Sequence, residues 1–386
     1  MSASAIAAGL VAVLVSFGGT AVLMVQAGHA AGLDAARIGS WIGSLSLVLG
    51  FGGAAYSLRT GLPIVMAWST PGAALLVTAL AGVPFPEAIG AFVLAAALTL
   101  ACGLFGWIDP ILRRIPGEVA AAMLAGVLLN FGMGVFTNVS KQPALVLAMC
   151  VAYLVCRRWA PRYAVLMVMV VAVGMAAGLG LLRVDQLDWH LTEFVWTTPA
   201  FSTQAAISLG IPLFVVAMAS QNLPGLAILQ AAGYRPPASR LVAATGFLGL
   251  LAAPFGAHSV TLGAISAAIC TGPEAHADPS KRYIAAATYG IGYFALSIVA
   301  GAVAVFFQAL PAALLAALAG LALLGTIMGG MAAAMANPQR REAALITLLA
   351  TASGFSFWGI GSAFWGLVAG LIAHTVFEYK RKPAVL

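Results

Sequence analysis

Long apolar runs separated by short polar or Pro- and Gly-containing gaps fill almost the whole chain. A helix needs about 20 residues to cross the hydrocarbon core of a membrane. The pattern predicts fourteen membrane segments, at residues 5–27, 38–58, 62–80, 88–112, 119–136, 144–157, 163–182, 205–222, 238–253, 255–271, 284–307, 312–334, 343–355 and 359–377. Twelve have the continuous character of helices, whereas the third and the tenth are interrupted by proline and glycine.

The composition agrees with a lipid environment. Of 386 residues, 62% are hydrophobic and 8% are charged, whereas about 25% charged residues is usual for soluble domains. This excludes a soluble enzyme, a nucleic-acid-binding domain and a disordered protein. The sequence lacks GxxxxGK[ST], HExxH and GxSxG motifs, and its four cysteines have no metal-binding spacing. We therefore expect no enzyme activity, no metal and no cofactor.

The basic residues predict an orientation. With a cytoplasmic N-terminus and fourteen crossings, both termini are cytoplasmic and 15 of the 18 Lys and Arg residues face the cytoplasm. The exceptions are Arg37, Lys141 and Arg183. Such a bias follows the positive-inside rule. The net charge of +7 thus reports orientation and not a nucleic-acid partner.

The two halves of the chain resemble each other. Residues 114–129 are similar to residues 309–324, and Pro116 and Pro311 are 195 residues apart, as are Gln26 and Gln221. Seven segments per copy is an odd number, so the second copy is inverted in the membrane. Inverted repeats are typical of secondary transporters.

Segment 3 predicts a strand followed by a half-helix. Pro63 and Pro71 disfavour a continuous helix, and residues 64–68 suit an extended chain. Ser69 or Thr70 before Pro71 is a helix-start signal, so we expect a short helix over 72–80. Nine residues span about 14 Å, or half of a bilayer.

Segment 10 predicts the inverted counterpart. Residues 254–256 end the preceding helix, an extended piece reaches Val260, and Ser259 is expected to cap a helix over 261–270. Both helix N-termini then lie near the bilayer centre, where their N–H groups and partial positive charge suit an anion. The alternative is two proline-kinked helices without a site.

Other polar residues near these breaks are candidates for binding or proton coupling. Ser220, Gln221 and Asn222 interrupt segment 8, either as hydrogen-bond partners of the substrate or of the broken segments, or as a helix-end cap. His258 is a candidate proton carrier or a polar wedge, and Glu274 is a second candidate carrier or part of a solvated loop. The predicted substrate-binding residues are Trp68, Ser69, Thr70, Pro71, Gly72, Ala73, Gln221, Asn222, His258, Ser259, Val260 and Thr261.

Aromatic and small residues extend the prediction. Trp68, Phe17 and Phe255 are candidates for stacking on a flat ligand, with helix packing as the alternative. The pairs Gly39/Gly43, Gly325/Gly329 and Gly366/Gly370 predict close contacts between helices.

Five motifs together resemble the bacterial benzoate:proton symporter family. They are AWSTPGAALLVTAL (67–80), RIPGEVAAAMLAG (114–126), MASQNLPG (218–225), ICTGPEAH (269–276) and GIGSAFWGLVAG (359–370). The resemblance covers essentially the whole chain, and the family is related more distantly to uracil/xanthine and ascorbate transporters. It implies an all-α fold of two inverted seven-segment repeats with a core domain (1–112 and 204–308) and a gate domain (113–203 and 309–386). It also implies that benzoate binds between the half-helices of segments 3 and 10.

The residue at position 221 departs from the nucleobase relatives, which carry an acid near there. A neutral Gln221 suits an anionic substrate but leaves the proton carrier unnamed, since benzoate itself can bring the proton. We expect a proton-coupled importer of benzoate or a similar aromatic carboxylate in the bacterial inner membrane, working by elevator-like alternating access. Open alternatives are a transporter of another anion or a nucleobase, and an anion channel. Whether the chain forms a homodimer stays open.

Overall fold

The structure is a computed structural model that describes residues 3–106, 116–182, 190–358 and 360–379. Predictions that fall on Arg113, Arg114, Arg183 and residues 380–386 lie outside this part. Its helices are α1 (Ala3–Ala30), α2 (Ala35–Thr60), α3 (Thr70–Ala79), α4 (Phe85–Phe105), α5 (Gly117–Val139), α6 (Pro143–Trp159), α7 (Ala164–Gly178), α8 (Thr203–Ala231), α9 (Ala238–Ala252), α10 (Ile265–Thr271), α11 (Tyr283–Gln308), α12 (Ala312–Ala334), α13 (Arg341–Ala352) and α14 (Ser362–Tyr379). Its strands are β1 (Met66–Trp68), β2 (Val260–Leu262), β3 (Ser356–Phe357) and β4 (Ile360–Gly361).

The helices confirm a mostly helical multi-pass membrane protein. Eight of those described are long and apolar enough to cross a membrane, and α3, α7 and α14 include shorter apolar helical stretches. Each predicted segment overlaps the helix of the same number. These helices are so apolar that many large hydrophobic side chains are exposed on the outside of the protein, where they would contact lipid.

Packing divides the helices into two groups. In the first helix group (α1–α4 and α8–α11), α2 packs along α11 and α4 along α9. Glycines permit this closeness, because a Cβ on Gly39 would lie 2.9 Å from the Cα of Gly301. In the second helix group (α5–α7 and α12–α14), α5 packs on α12 and α13, and α6 on α7. Gly366 and Gly370 face Thr351 and Thr347 across the α13–α14 contact, as the small-residue pattern predicted.

The two broken segments meet as a short antiparallel strand pair. Met66 pairs with Leu262, Ala67 with Thr261 and Trp68 with Val260. The Thr261 hydroxyl donates to the Ala67 carbonyl at 2.8 Å. Because the strands run in opposite directions, α3 and α10 leave the pair in opposite directions, which confirms the strand-then-helix prediction for both segments.

An extended stretch, residues 190–202, lies across the first helix group; we call it the strap. Its Val195 N–H donates to the Ser40 hydroxyl at 2.9 Å, and its Thr197 N–H donates to the Pro254 carbonyl at 2.8 Å. A Cβ on Gly43, Gly90 or Gly301 would collide with strap atoms, so these glycines make room for it. The strap therefore packs with the helices assigned to the core domain, although the predicted boundary placed it in the gate domain.

Phe255 was predicted to lie near the substrate and instead lies under the strap. Its ring meets the edges of Trp196 and Phe194 at centroid distances of 5.4 and 6.2 Å. Phe255 does not line the cavity described below. The strap covers the hydrophobic ring, and this contact explains its position.

Candidate substrate site

A cavity of about 1500 Å³ separates the two helix groups. The first group lines it with parts of α1, β1, α3, α8 and α10, and the second group with parts of α5, α6, α7 and α12. The cavity runs from the strand pair along α10 to Glu274, which is exposed. Among the twelve predicted substrate-binding residues, those lining it are Trp68, Thr70, Pro71 and Gln221.

The start of α3 forms one wall of the cavity. Ser69 is its N-cap, with its hydroxyl accepting from the Gly72 N–H at 3.0 Å and its carbonyl accepting from the Ala73 N–H at 2.8 Å. These bonds occupy the Gly72 and Ala73 amides, and Pro71 has no N–H, so these three residues offer no free amide to an anion, contrary to the expectation that the first N–H groups of this helix bind it. The α3 dipole and the Thr70 side chain, 2.6 Å from the Thr20 hydroxyl, remain at the cavity wall.

Trp68 brings an unpaired donor to the same place. Its side chain is 1% exposed, and its Nε1 has no hydrogen-bond partner among the described residues. The indole is fixed by Phe17, at a centroid distance of 5.4 Å, and by the edge of Tyr293, at 5.2 Å. A buried N–H without a partner costs about 1–3 kcal/mol, so this donor calls for an explanation.

Segment 8 contributes through a π-helical turn, Met218–Asn222. Such turns widen a helix and are frequent at functional sites. Gln221 lines the cavity, and its amide has no hydrogen-bond partner in the described part of the chain. Asn222 is fully buried instead: its Oδ1 accepts from the Leu262 N–H at 2.9 Å. Asn222 thus holds strand β2, and this contact with a broken segment is one of the two roles predicted for it. It does not face the cavity, so its predicted contact with the substrate is not seen.

The predicted start of the second half-helix is wrong by four residues. α10 begins at Ile265, and its N-cap Ala264 provides no capping side chain. Strand pairing causes the shift, because the Gly263 N–H donates to the Val65 carbonyl at 2.8 Å and the helix begins only after that bond. Ser259 therefore caps nothing, and Val260 and Thr261 are buried in the strand.

His258 also lies away from the cavity. Its side chain is 1% exposed and sits between Trp41 of α2 and the start of α3. The Trp41 indole donates to Nδ1 at 3.1 Å, and Nε2 is 3.1 Å from the Ser69 carbonyl oxygen. The imidazole is a part of the packed interior in this structure.

Charged groups gather at the far end of the cavity. Glu118 and Arg340 form an ion pair at 3.2 Å within the second helix group, and Arg157 and Glu274 line the same region. Near the strand pair, the described lining residues carry no formal charge. The end of the cavity at the strand pair is therefore neutral, whereas the opposite end, which we call the mouth, is charged.

Two glycines predicted to make helix contacts face the cavity instead. Gly325 and Gly329 of α12 line it, and a Cβ on either would meet no atom within 4 Å. The small-residue pattern cannot say whether its face meets a helix or an opening, so this prediction failed.

The sequence interpretation missed a hydroxyl cluster beneath Trp68. The Tyr293 hydroxyl donates to the Ser16 hydroxyl at 2.8 Å, and the Tyr289 hydroxyl is 3.2 Å from the same oxygen. Ser16 lines the cavity, and both tyrosines are fully buried. The sequence feature that could have predicted this cluster is the pair of tyrosines one helical turn apart in an otherwise apolar segment.

Apolar spans around two broken segments and a cavity between helix groups define a multi-pass membrane transporter. The family described as benzoate membrane transport protein matches residues 1–376. The chain belongs to that family. Because this is a family of membrane transport proteins, the protein is a transporter and not an enzyme.

Two named relatives match over nearly their full length. The chain is 42% identical to "Inner membrane protein YdcO" of Escherichia coli (strain K12), over 96% of this chain and 95% of that protein. It is 39% identical to "Benzoate membrane transport protein" of Acinetobacter baylyi, over 97% of this chain and 95% of that protein.

Solved structures show the same fold at low identity. SLC26A9 matches 97% of this chain with a TM-score of 0.65 and 12% identity, and the chain spans 66% of that longer protein. The transmembrane domain of the cyanobacterial bicarbonate transporter BicA matches 98% of this chain and 97% of its own length, with a TM-score of 0.58 and 12% identity. These likenesses concern the fold alone.

Proposed function

We propose that the protein is a secondary transporter that imports benzoate or a similar aromatic carboxylate together with protons. One observation carries the proposal: the unpaired Trp68 Nε1–H lies at the start of α3, beside a cavity that also receives the Gln221 amide. A carboxylate accepts hydrogen bonds and suits the positive end of a helix dipole. The aliphatic lining from Val215, Val216 and Leu321 suits an aromatic ring.

The two-copy architecture is part of this proposal, and the packing supports it. An offset of 195 residues maps Met66 onto Thr261 and Ala67 onto Leu262. The strand pair Met66–Leu262 is thereby mapped onto the pair Ala67–Thr261, as two equivalent copies require. The helix contacts are equivalent in the same way when each helix is compared with the one seven segments away. The contact between α2 and α11 corresponds to that between α9 and α4, and the contact between α6 and α7 corresponds to that between α13 and α14. Pro116 and Pro311 both serve as N-caps, of α5 and α12.

The cavity position supports alternating access between a core domain and a gate domain. The first helix group would be the core and the second the gate, with the strap added to the core. The cavity extends to Glu118, Glu274 and Arg340, all on the side that the basic residues predict to be cytoplasmic. We therefore assign this structure to an inward-open state, and an elevator-like movement of the core would close the cavity. Both termini would then be cytoplasmic, in the inner membrane of a bacterium.

Proton coupling follows from energetics. Moving an anion into an inside-negative cell costs about 2.3 kcal/mol per 100 mV, and one accompanying proton removes that cost. Of the two candidate carriers, Glu274 lines the cavity and His258 does not. The proton would therefore travel on Glu274 or on the substrate carboxylate itself.

Uptake of labelled benzoate into proteoliposomes tests the proposal. We expect accumulation driven by an inward proton gradient and abolished by a protonophore. Protein-free liposomes are the essential control, because benzoic acid crosses lipid unaided. No excess over that control would remove benzoate as substrate, and bicarbonate and uracil would be compared next. Flux without accumulation would indicate a channel.

Matched variants test the site. Trp68→Phe keeps an aromatic ring against Phe17 and Tyr293 but removes the N–H, so KM for benzoate should rise about tenfold. The control is Trp365→Phe, which removes an indole donor that serves the Phe357 carbonyl outside the cavity. Equal KM values in both variants would place the carboxylate elsewhere. Glu274→Gln should abolish proton-driven accumulation if Glu274 is the carrier, and leave it intact if the substrate carries the proton.

A further inference from the structure

His258 of segment 10 makes two side-chain hydrogen bonds, one to the Ser69 carbonyl of the other broken segment and one to the Trp41 indole of α2. It lies just before β2, two residues from Val260, yet its ring contacts α2 and the cap of α3. The Trp41 and Phe92 rings lie beside it, at centroid distances of 5.7 and 6.4 Å. Among the described residues, the Trp41–His258 bond is the only hydrogen bond between two side chains that joins α2 to segment 10.

The two partners determine which ring nitrogen holds the proton. An indole N–H only donates, so Nδ1 must be an unprotonated acceptor toward Trp41. A carbonyl oxygen only accepts, so Nε2 must carry the proton and donate to Ser69. A second proton on Nδ1 would face the Trp41 N–H and break that bond. This arrangement requires the neutral imidazole.

The Ser69 carbonyl is the point at which this bridge acts on the substrate site. The same oxygen accepts from the Ala73 N–H, and the Ser69 hydroxyl accepts from the Gly72 N–H. Ser69 follows Trp68 directly, so a change in the Ser69 backbone moves the indole donor and the first turn of α3 together. The small void beside the ring is lined by Thr99, Phe214 and Thr245, none of which titrates.

We propose that His258 is a positioning residue: a neutral imidazole, protonated on Nε2, that fixes the Ser69 carbonyl and with it the Trp68 and α3 end of the substrate site. It does not carry the transported proton. The role in transport rests on the proposed function, whereas the tautomer does not.

Nuclear magnetic resonance of ring-labelled histidine tests the tautomer without any transport assay. One of the five histidine signals disappears in His258→Gln, and this assigns the residue. We expect an unprotonated Nδ1 and a protonated Nε2 that persist from about pH 5 to about pH 8, the range in which an exposed histidine titrates. Titration within that range, or the opposite tautomer, would overturn the proposal. Trp41→Phe should release the constraint on Nδ1 and alter this signal.

Two amide variants separate the two hydrogen bonds in proteoliposome uptake. Glutamine places its amide near the Nε2 position and keeps a donor for Ser69, so His258→Gln should hold KM within about twofold of wild type. Asparagine reaches only the Nδ1 position, so His258→Asn should raise KM about tenfold while proton-driven accumulation remains. His29→Gln, at the exposed end of α1, controls for loss of a histidine.

The outcomes are distinct. Wild-type KM in His258→Asn would refute a positioning role, and loss of proton-driven accumulation in His258→Gln with flux intact would make His258 the carrier. If His258→Asn does not fold, Trp41→Phe and the nuclear magnetic resonance result decide. If wild-type protein takes up no benzoate, the proposed function fails while the tautomer measurement still stands.

Discussion

Filling the cavity at Gly329 tests whether it must close during transport. Gly325 and Gly329 lie one turn apart on α12, facing the cavity, and a Cβ on either meets no atom within 4 Å. Across the cavity, Ile265 and Ile269 of α10 line the opposite wall. If the core approaches the gate to close this space, these glycines lie where the two surfaces meet.

The structure sets the expected size of the effect. A leucine at position 329 enters open space here, and replacing a helix-interior glycine stabilises a helix by up to about 1 kcal/mol. The fold should therefore be as stable as wild type or slightly more so. In the closed state the same side chain is overpacked, at a cost of about 1–3 kcal/mol. Since about 1.4 kcal/mol is a factor of ten, uptake should fall about 5-fold to about 150-fold.

The assay compares initial uptake rates and melting temperatures for Gly329→Ala, Gly329→Leu and Gly174→Leu. Gly174 is an exposed glycine of α7 with no atom within 4 Å of its Cβ, and it does not line the cavity. We expect a graded loss of uptake at position 329 and wild-type uptake in Gly174→Leu. Wild-type rates for Gly329→Leu, at normal protein levels, would refute closure at this surface. Benzoate binding measured separately excludes a simple blocked site.

Two further predictions concern elements that hold the site from a distance. Arg282 is 9% exposed and donates to the Thr271 and His276 carbonyls, each at 2.8 Å, so Arg282→Ala should destabilise the protein by about 2 kcal/mol. A melting temperature equal to that of wild type would show that the cap at the end of α10 is dispensable. In a background without the native cysteines, a disulfide between Ser40→Cys and Val195→Cys should leave uptake unchanged, because in the proposed cycle the strap moves with the core. Loss of uptake on oxidation, restored by a reductant, would instead show that the strap must lift.

Local signals predicted segment 3 well. Ser69 followed by Thr70–Pro71 determines where α3 begins, because the cap and the proline act within one turn. The preceding extended chain is equally local, since Pro63 and the β-branched residues after it disfavour a helix. Trp68 was predicted to lie at the site because it directly precedes the start of α3 in the sequence. That its indole N–H has no partner can be seen only in the packed structure.

The start of α10 and the surroundings of His258 depend on contacts between residues far apart in the sequence, which the hydrophobic and polar pattern does not reveal. α10 starts late because Val65 binds Gly263, a partner almost 200 residues away in the chain. The sequence left His258 open as a proton carrier or a polar wedge, because its partners, Trp41 and the Ser69 carbonyl, are 217 and 189 residues away. A histidine with both ring nitrogens occupied by protein groups and one with a free nitrogen give the same sequence signal.

The proposed anion site is built without a formal charge, and this has a consequence for the proposed transport cycle. In the described lining near the strand pair, the donors are an indole, an amide and hydroxyls, while Glu118, Arg340 and Arg157 remain at the mouth. A buried arginine beside the carboxylate would hold it strongly in a low dielectric and would have to cross the membrane field with the moving core. Neutral donors release the substrate more readily. They also let the empty core return without working against about 2.3 kcal/mol per charge per 100 mV. When the substrate itself brings the proton, the loaded core is neutral as well, so the membrane potential acts on neither step.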